Sequence, residues 1–173
     1  MELISGFLLK LLDILFPRYF DGQKQTREHD INIYRKSDEI LSEEKLLNIT
    51  NFDLPDSIYV DNYQTLINWC DFFNKTGNQY LNEDIKKHNK KLHDSLLGVN
   101  KFIRLNFYEI RGQNANNKPI YLRPEWNSDY ENNVTKEEDA KWNEYAKELN
   151  TLIDRVLSHY SEYREVVKKR LKI

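Results

Sequence analysis

The chain has 173 residues, of which 31% are charged, and its formal net charge at pH 7 is -2. This length predicts one domain with a substantial core. The nearly balanced charge argues against a strongly basic nucleic-acid binder. With the single cysteine, Cys70, the chain can form neither an internal disulfide nor a cysteine metal cluster, which is typical of a reducing compartment.

The first twenty residues predict an apolar helix. Its polar stripe consists of Glu2, Lys10 and Asp13, which fits neither a secretion signal nor a membrane span. Such a helix must be buried in its own bundle, in another protein or, less favourably, in a membrane surface. We therefore divide the chain into an apolar N-terminal helix (1–20) and a single helical-bundle domain (21–173). The residues expected to contact a partner are Phe7, Leu8, Leu11, Leu12 and Leu15.

Two helices are predicted between residues 27 and 52. The apolar spacing in the first half of this segment fits a helix, although Ile31–Ile33 also fits a short strand. Ser42 is a suitable N-cap for the second helix. The interpretation as two helices depends on period and capping alone.

The middle of the chain predicts two longer helices. Apolar residues fall on two faces between Ile58 and Asn74, which indicates a central, buried helix. The next helix is predicted to begin at the N-cap Asn82 and to end near Gly112. Gly98 lies within it and indicates a close helix crossing or a local bend.

The last helix has the clearest pattern in the chain. Thr135 and Glu138 have the spacing of a capping box, and residues 136–172 would form a helix about 55 Å long. Its apolar seam keeps a period of 3.5 residues, which indicates a coiled-coil-like partner helix. The preceding long helix is a natural antiparallel partner but is shorter, so part of the seam needs another surface. The seam consists of Trp142, Ala146, Leu149, Ile153, Val156, Tyr160, Tyr163 and Val167.

A long connection from Arg111 to Val134 joins these two helices. Links within compact helical domains are usually shorter, and long ones are functional or disordered. A short extended segment is expected near Ile120. The loop also contains Arg123, Trp126 and Tyr130, residue types that are common at binding hot spots, so we predict partner contacts there. The alternative is a loop that covers an edge of the core.

The predicted fold is thus all-α. It is an elongated bundle of four to six helices, with two long antiparallel helices and a long, partly extended loop between them. The sequence has no phosphate-binding glycine loop and no His-Glu-x-x-His, Gly-x-Ser-x-Gly or Cys-x-x-Cys motif. His88 and His93 do not have the spacing of a helical metal-binding pair. No metal site and no cofactor are therefore predicted.

Arg155 and His159 lie one turn apart on the predicted last helix. In an all-helical protein this pair resembles the Arg-x(4 to 6)-His motif of HEPN-type ribonucleases, in which helical bundles dimerise to pair two such sites. The resemblance covers these two residues, with a spacing one residue shorter and with Val156 where that family usually has a polar residue. It implies RNA cleavage by this pair, and the alternative is a surface pair that flanks the apolar seam.

A lysine-rich helix face suggests a further hypothesis. Lys86, Lys87, Lys90 and Lys91 could contact the phosphates of a nucleic acid. Acidic residues three and four positions away also allow a solvated face whose charges pair with one another.

We expect a non-catalytic protein–protein interaction module. It would be a small accessory or regulatory subunit of a bacterial-type complex, or a homo-oligomer, that presents the N-terminal helix or the last seam. Two alternatives stay open: a HEPN-like ribonuclease or toxin, and a subunit that contacts nucleic acid through the lysine face. A membrane surface is disfavoured, and the single cysteine favours the cytoplasm.

Overall fold

The computed structural model describes residues 22–54, 57–109, 118–122 and 135–173, and this part of the chain is mostly helical. The all-α class is therefore confirmed in its coarse form, with a small sheet added. The helices are α1 (22–40), α2 (Glu43–Asn48, followed by a π-helical turn over Ile49–Asp53), α3 (Val60–Asn74), α4 (Glu83–Asn106) and α5 (Lys136–Leu171). The strands are β1 (Ser57–Tyr59), β2 (Phe107–Glu109) and β3 (Pro119–Leu122), and Thr76–Asn78 forms a 3-10 turn.

Three helices begin where the sequence predicts, because their first turns are capped by nearby side chains. The Ser42 hydroxyl accepts a hydrogen bond from a backbone N–H at the start of α2. The Asn82 side chain accepts two such bonds at the start of α4. At α5, Thr135 Oγ1 accepts from the Glu138 N–H at 3.2 Å, and Glu138 Oε2 accepts from the Thr135 N–H at 2.7 Å.

Helices α4 and α5 pack against each other in antiparallel directions. Asp84 contacts Arg170 at one end of their interface, and Phe102 contacts Tyr145 at the other end. Gly98 lies between these ends, where a Cβ atom would meet a leucine methyl group of α5 at 3.8 Å. This is an ordinary van der Waals distance, so the packing at Gly98 leaves room for a Cβ atom.

The second surface that the seam of α5 needs lies in the same chain. Arg27 of α1 donates two hydrogen bonds to the Leu171 carbonyl, and Arg164 bonds to Tyr34 and Asp38. Helix α1 thus runs beside the C-terminal half of α5. The seam residues from the middle to the end of α5 are all buried, so this part of the seam is not left for a partner.

Two predicted helix boundaries are wrong, because the residues there form strands of a small sheet. Ile58 belongs to β1, and α4 ends at Asn106 instead of near Gly112. The strand order is β1-β3-β2, and all the pairing is antiparallel. Ile58 pairs with Ile120, while Phe107 pairs with Leu122. The extended segment predicted near Ile120 is confirmed as the central strand of this sheet.

Aromatic side chains fill the core where α3 and α5 meet. Trp69 packs on Phe73, with ring centroids 4.7 Å apart, and meets Tyr163 edge to face. The Tyr80 and Tyr163 hydroxyl oxygens are 2.5 Å apart, so one buried hydroxyl satisfies the other. The face of α3 that carries Trp69 and Phe73 is therefore buried in the core, while the opposite face is exposed, so the helix is less enclosed than predicted.

Candidate functional site

A polar cluster on the α4–α5 face brings together two groups of residues that the sequence singles out separately. Ser95 of α4 is buried, and its hydroxyl oxygen lies 2.6 Å from Nδ1 of His159 on α5. The Ser95 hydroxyl also donates to the Lys91 carbonyl oxygen at 2.9 Å. Both contacts are satisfied when His159 donates from Nδ1, which leaves Nε2 of the neutral imidazole without a proton.

An ion pair across the two helices borders this histidine. Lys91 Nζ lies 3.2 Å from Glu162 Oε2. The hydrogen bond and charge of Lys91 lower the pKa of Glu162, and His159 and His88 act in the same direction. His88 itself is held by a 2.8 Å contact between its Nδ1 and the Asp84 carbonyl oxygen. Lys91 is therefore the direct partner of this carboxylate.

Arg155 is exposed one helical turn before His159, which is half-buried. Within the described residues, Nε2 of His159 has no hydrogen-bond partner. An imidazole held through Nδ1, with Nε2 available, can accept a proton from a bound molecule. Arg155 supplies positive charge one helical turn away, whereas Lys91 is paired with Glu162, so Arg155 is the group that could bind an anionic ester here.

The four lysines of the predicted lysine face on α4 are only partly available. Lys86 and Lys90 pair with acidic residues of their own helix at 3.4 and 2.8 Å. Lys91 pairs with Glu162 instead, and Lys87 is exposed. Most of the charge on the lysine face is therefore neutralised by acidic neighbours. This arrangement matches a solvated face whose charges pair with one another.

A second polar cluster was not anticipated. Arg164 of α5 donates to the Tyr34 hydroxyl and to Asp38 at 2.6 Å, with Glu43 at 3.7 Å. Its guanidinium lies over the rings of Tyr34 and Tyr160, at 5.3 and 5.9 Å from their centroids. Burial lowers the pKa of Arg164, but the two tyrosines and the two carboxylates together raise it by more. The net pKa is above its ordinary value, so the side chain stays charged. This residue links α1, α2 and α5.

The predicted partner contacts lie outside the described residues. They are Phe7, Leu8, Leu11, Leu12, Leu15, Arg123, Trp126 and Tyr130. In the described ranges, no three His, Cys, Asp or Glu side chains are grouped so that they could bind a metal ion. None of the helices in these ranges combines the length and the apolar character needed to cross a membrane.

Comparisons with protein-family models, with curated proteins and with solved structures find no match to this chain.

Proposed function

We propose that the chain is a non-catalytic interaction protein, either a small accessory or regulatory subunit or a homo-oligomer. Its N-terminal apolar helix (residues 1–20) would carry the docking surface. The main support is the burial of the α5 seam against the chain's own helices, which leaves the apolar N-terminal residues as the sequence feature still to be accounted for. The single, buried Cys70 is consistent with a cytoplasmic setting, which belongs to the same proposal.

The charged surface also supports a binding role over a catalytic one. Lysines of α4 and the guanidinium of Arg164 are occupied by acidic neighbours. Paired charges of this kind have a sufficient structural reason and need no substrate. The sequence of residues 1–20 is mostly apolar, and a helix of that composition requires burial on most sides.

The test compares the full-length wild-type chain with a variant that carries Leu8→Glu and Leu12→Glu. We expect the wild type, purified from its native host, to form an assembly heavier than the 20.9 kDa chain, as measured by native mass spectrometry. The double variant should be monomeric and keep its cooperative melt. The control carries Leu97→Glu and Leu105→Glu, at exposed positions of α4, and should keep the assembly.

Two results would contradict this proposal. One is a wild-type chain that is itself a 20.9 kDa monomer. The other is a double variant that keeps the wild-type assembly mass but melts at a lower temperature, because the N-terminal helix then belongs to the chain's own core.

RNA cleavage is a second candidate function, and the 2.6 Å contact between Ser95 and His159 favours it. Nε2 of His159 would accept the proton of a 2′-hydroxyl group as that oxygen attacks the adjacent phosphorus. The P–O5′ bond would break, the 5′-oxygen would take up a proton from water, and a 2′,3′-cyclic phosphate would remain. Arg155 would bind the phosphate oxygens.

Purified protein incubated with single-stranded RNA tests this second function. We expect His159→Ala and Arg155→Ala each to lower cleavage by about 100-fold or more, which is the usual size of a general-base contribution. Arg35→Ala, at an exposed position of α1, is the matched control and should leave cleavage unchanged. Wild-type protein without activity, or activity that survives both changes, excludes the ribonuclease.

A further inference from the structure

The two halves of α5 carry opposite charge. Residues 136–154 contain six acidic side chains and three lysines, whereas residues 155–172 contain two acidic side chains and six lysines and arginines. The whole chain has a net charge of -2. Its charge is therefore unevenly distributed, with a basic end at the C-terminus of α5. A basic end on a protein of nearly balanced charge favours an anionic surface as its partner.

Three lysines of this basic end are available to a partner. Lys168, Lys169 and Lys172 are exposed, and none of them forms an ion pair with an acidic side chain in the described parts of the chain. Glu165 lies one turn earlier on α5 but is not paired with them. Arg170 differs, because it pairs with an aspartate of α4. The charge of the three lysines is therefore not neutralised by direct contact within these ranges.

The start of the described α1 lies at this same end of the bundle. Arg27 donates two hydrogen bonds to the Leu171 carbonyl oxygen, at 3.0 and 2.7 Å. Gly22, the first described residue of α1, lines a surface pocket together with Lys172. Residues 1–20 are separated from Gly22 by a single position in the sequence. The apolar N-terminal sequence is therefore joined to the bundle next to the three lysines.

This placement supplies what the sequence of residues 1–20 lacks. Helices that bind a membrane surface combine an apolar face with lysines and arginines. Residues 1–20 contain two basic and two acidic side chains, so their own net charge is zero, and the sequence alone disfavours a membrane. The basic end of α5 provides the missing positive charge from another helix. Apolar and basic groups brought together in this way fit an anionic lipid bilayer.

We propose that the basic end of α5 binds the surface of an anionic lipid bilayer. Lys168, Lys169 and Lys172 contact the anionic headgroups, while the apolar side chains of residues 1–20 enter the boundary between headgroups and lipid tails. The proposal rests on the docking role of residues 1–20 stated above. It makes the bilayer an alternative to the protein partner, because lipid covers in the membrane what the partner covers in water. The protein would then exchange between an assembly in water and a membrane-bound form.

The experiment is flotation of the purified full-length chain with vesicles of two compositions. One contains phosphatidylcholine and phosphatidylserine in a ratio of about 7:3, and the other contains phosphatidylcholine alone. Each lysine near an anionic surface strengthens binding about fivefold, so three lysines predict about 100-fold tighter binding to the phosphatidylserine vesicles. Raising the salt from about 0.1 M to about 1 M shortens the Debye length from about 10 Å to about 3 Å, and should remove this difference.

Two matched double variants locate the charge that binds the lipid. Lys168→Gln with Lys169→Gln removes two exposed lysines of the basic end, and should weaken binding to the phosphatidylserine vesicles about 25-fold. Lys136→Gln with Lys147→Gln removes the same charge at exposed positions of the acidic half of α5, and should bind like the wild type. Lys147 is about 32 Å from Lys168 along the helix, which is about three Debye lengths at about 0.1 M salt.

Native mass spectrometry separates this proposal from the assembly proposed above. The variant with Lys168→Gln and Lys169→Gln should keep the assembly mass of the wild type. A wild-type chain that assembles but does not float with the phosphatidylserine vesicles overturns the bilayer proposal alone, whereas a monomeric wild type that floats contradicts the protein assembly alone.

Three further outcomes would overturn the bilayer proposal. These are equal binding to both vesicle types, binding that is unchanged at high salt, and equal affinity of the two lysine variants. Circular dichroism of each variant checks the fold. If the variant of the basic end fails to fold, the lipid and salt dependence of the wild type decides the outcome.

Discussion

Asp30 offers a sharp test of how the helices are joined. It lies on α1 with no exposed surface, and its two carboxylate oxygens accept backbone N–H bonds from Leu81 at 2.8 Å and Asn82 at 2.9 Å. Asn82 is the N-cap of α4. One buried carboxylate therefore holds the start of α4 against α1. The bonded residues are 51 and 52 positions apart in the sequence, so local helix propensity does not determine this contact.

The change Asp30→Asn keeps the shape of this side chain but replaces one acceptor oxygen by an NH₂ group. One of the two hydrogen bonds is lost, and a buried N–H then faces another N–H. A hydrogen bond to a charged acceptor contributes about 1.5–3 kcal/mol, and an unsatisfied buried donor costs a similar amount. We therefore expect the free energy of unfolding to fall by about 3 kcal/mol, because these costs overlap.

Guanidinium denaturation at pH 7, followed by circular dichroism at 222 nm, measures this loss directly. For a chain of this length it corresponds to a melting temperature lower by roughly 6–12 °C. The control is Asp154→Asn, at an exposed position of α5, which should change the free energy by less than about 0.5 kcal/mol. If Asp30→Asn is as stable as this control, the carboxylate does not hold the two helices together.

Three further predictions concern single residues. Gly98→Ala should stabilise the chain by about 0.5–1 kcal/mol in the same denaturation assay, because the added Cβ meets Leu152 at an ordinary contact distance of 3.8 Å. Burial raises the pKa of Cys70 to about 12, so the thiol should react with a disulfide reagent at pH 8 only after unfolding. Lys91→Met removes the hydrogen bond and the charge that lower the pKa of Glu162, so this pKa should rise toward 4.5 in an NMR titration. In the wild type, the stabilisation from this ion pair is complete above pH 4.5 and is lost as the pH falls through the lowered pKa.

The helices were predictable where the signal is local. Ser42, Asn82 and Thr135 cap their helices through side-chain contacts within three residues, and such contacts can be inferred from sequence spacing. The apolar seam of α5 can also be inferred from sequence spacing, because its residues recur every three or four positions. Gly98 was less informative, because a glycine within a long helix fits either a close crossing or a local bend, and the contact there is an ordinary 3.8 Å.

The sheet was less accessible to sequence reasoning. Strands of three or four residues are too short to establish a period of two, and Ile58 fits the apolar pattern of the helix that follows it. Phe107 likewise lies four residues after the buried Ile103 of α4 and fits a helical apolar pattern, yet it pairs with Leu122 of β3. These residues become strands through pairing between distant segments, which a local pattern does not contain.

The same distinction applies to the candidate sites. His159 and Lys91 were chosen from their residue types, but their connection through Ser95 and Glu162 depends on the register of α4 against α5. Arg164 was missed for this reason, because its hydrogen-bond acceptors lie on α1 and a further ion-pair partner lies on α2, all more than 100 positions earlier. No spacing rule within α5 could have identified them.

The two proposed functions depend on different residues, which allows separate tests. Arg27 holds the beginning of the described α1 against Leu171, at the end of α5. His159 lies on the same helix, about 18 Å away at 1.5 Å per residue. Changes in the N-terminal helix should therefore leave RNA cleavage unaltered, and His159→Ala should leave the assembly intact. A variant that removes both properties at once would mean that assembly completes the site, as it does where two helical bundles pair their arginine and histidine residues.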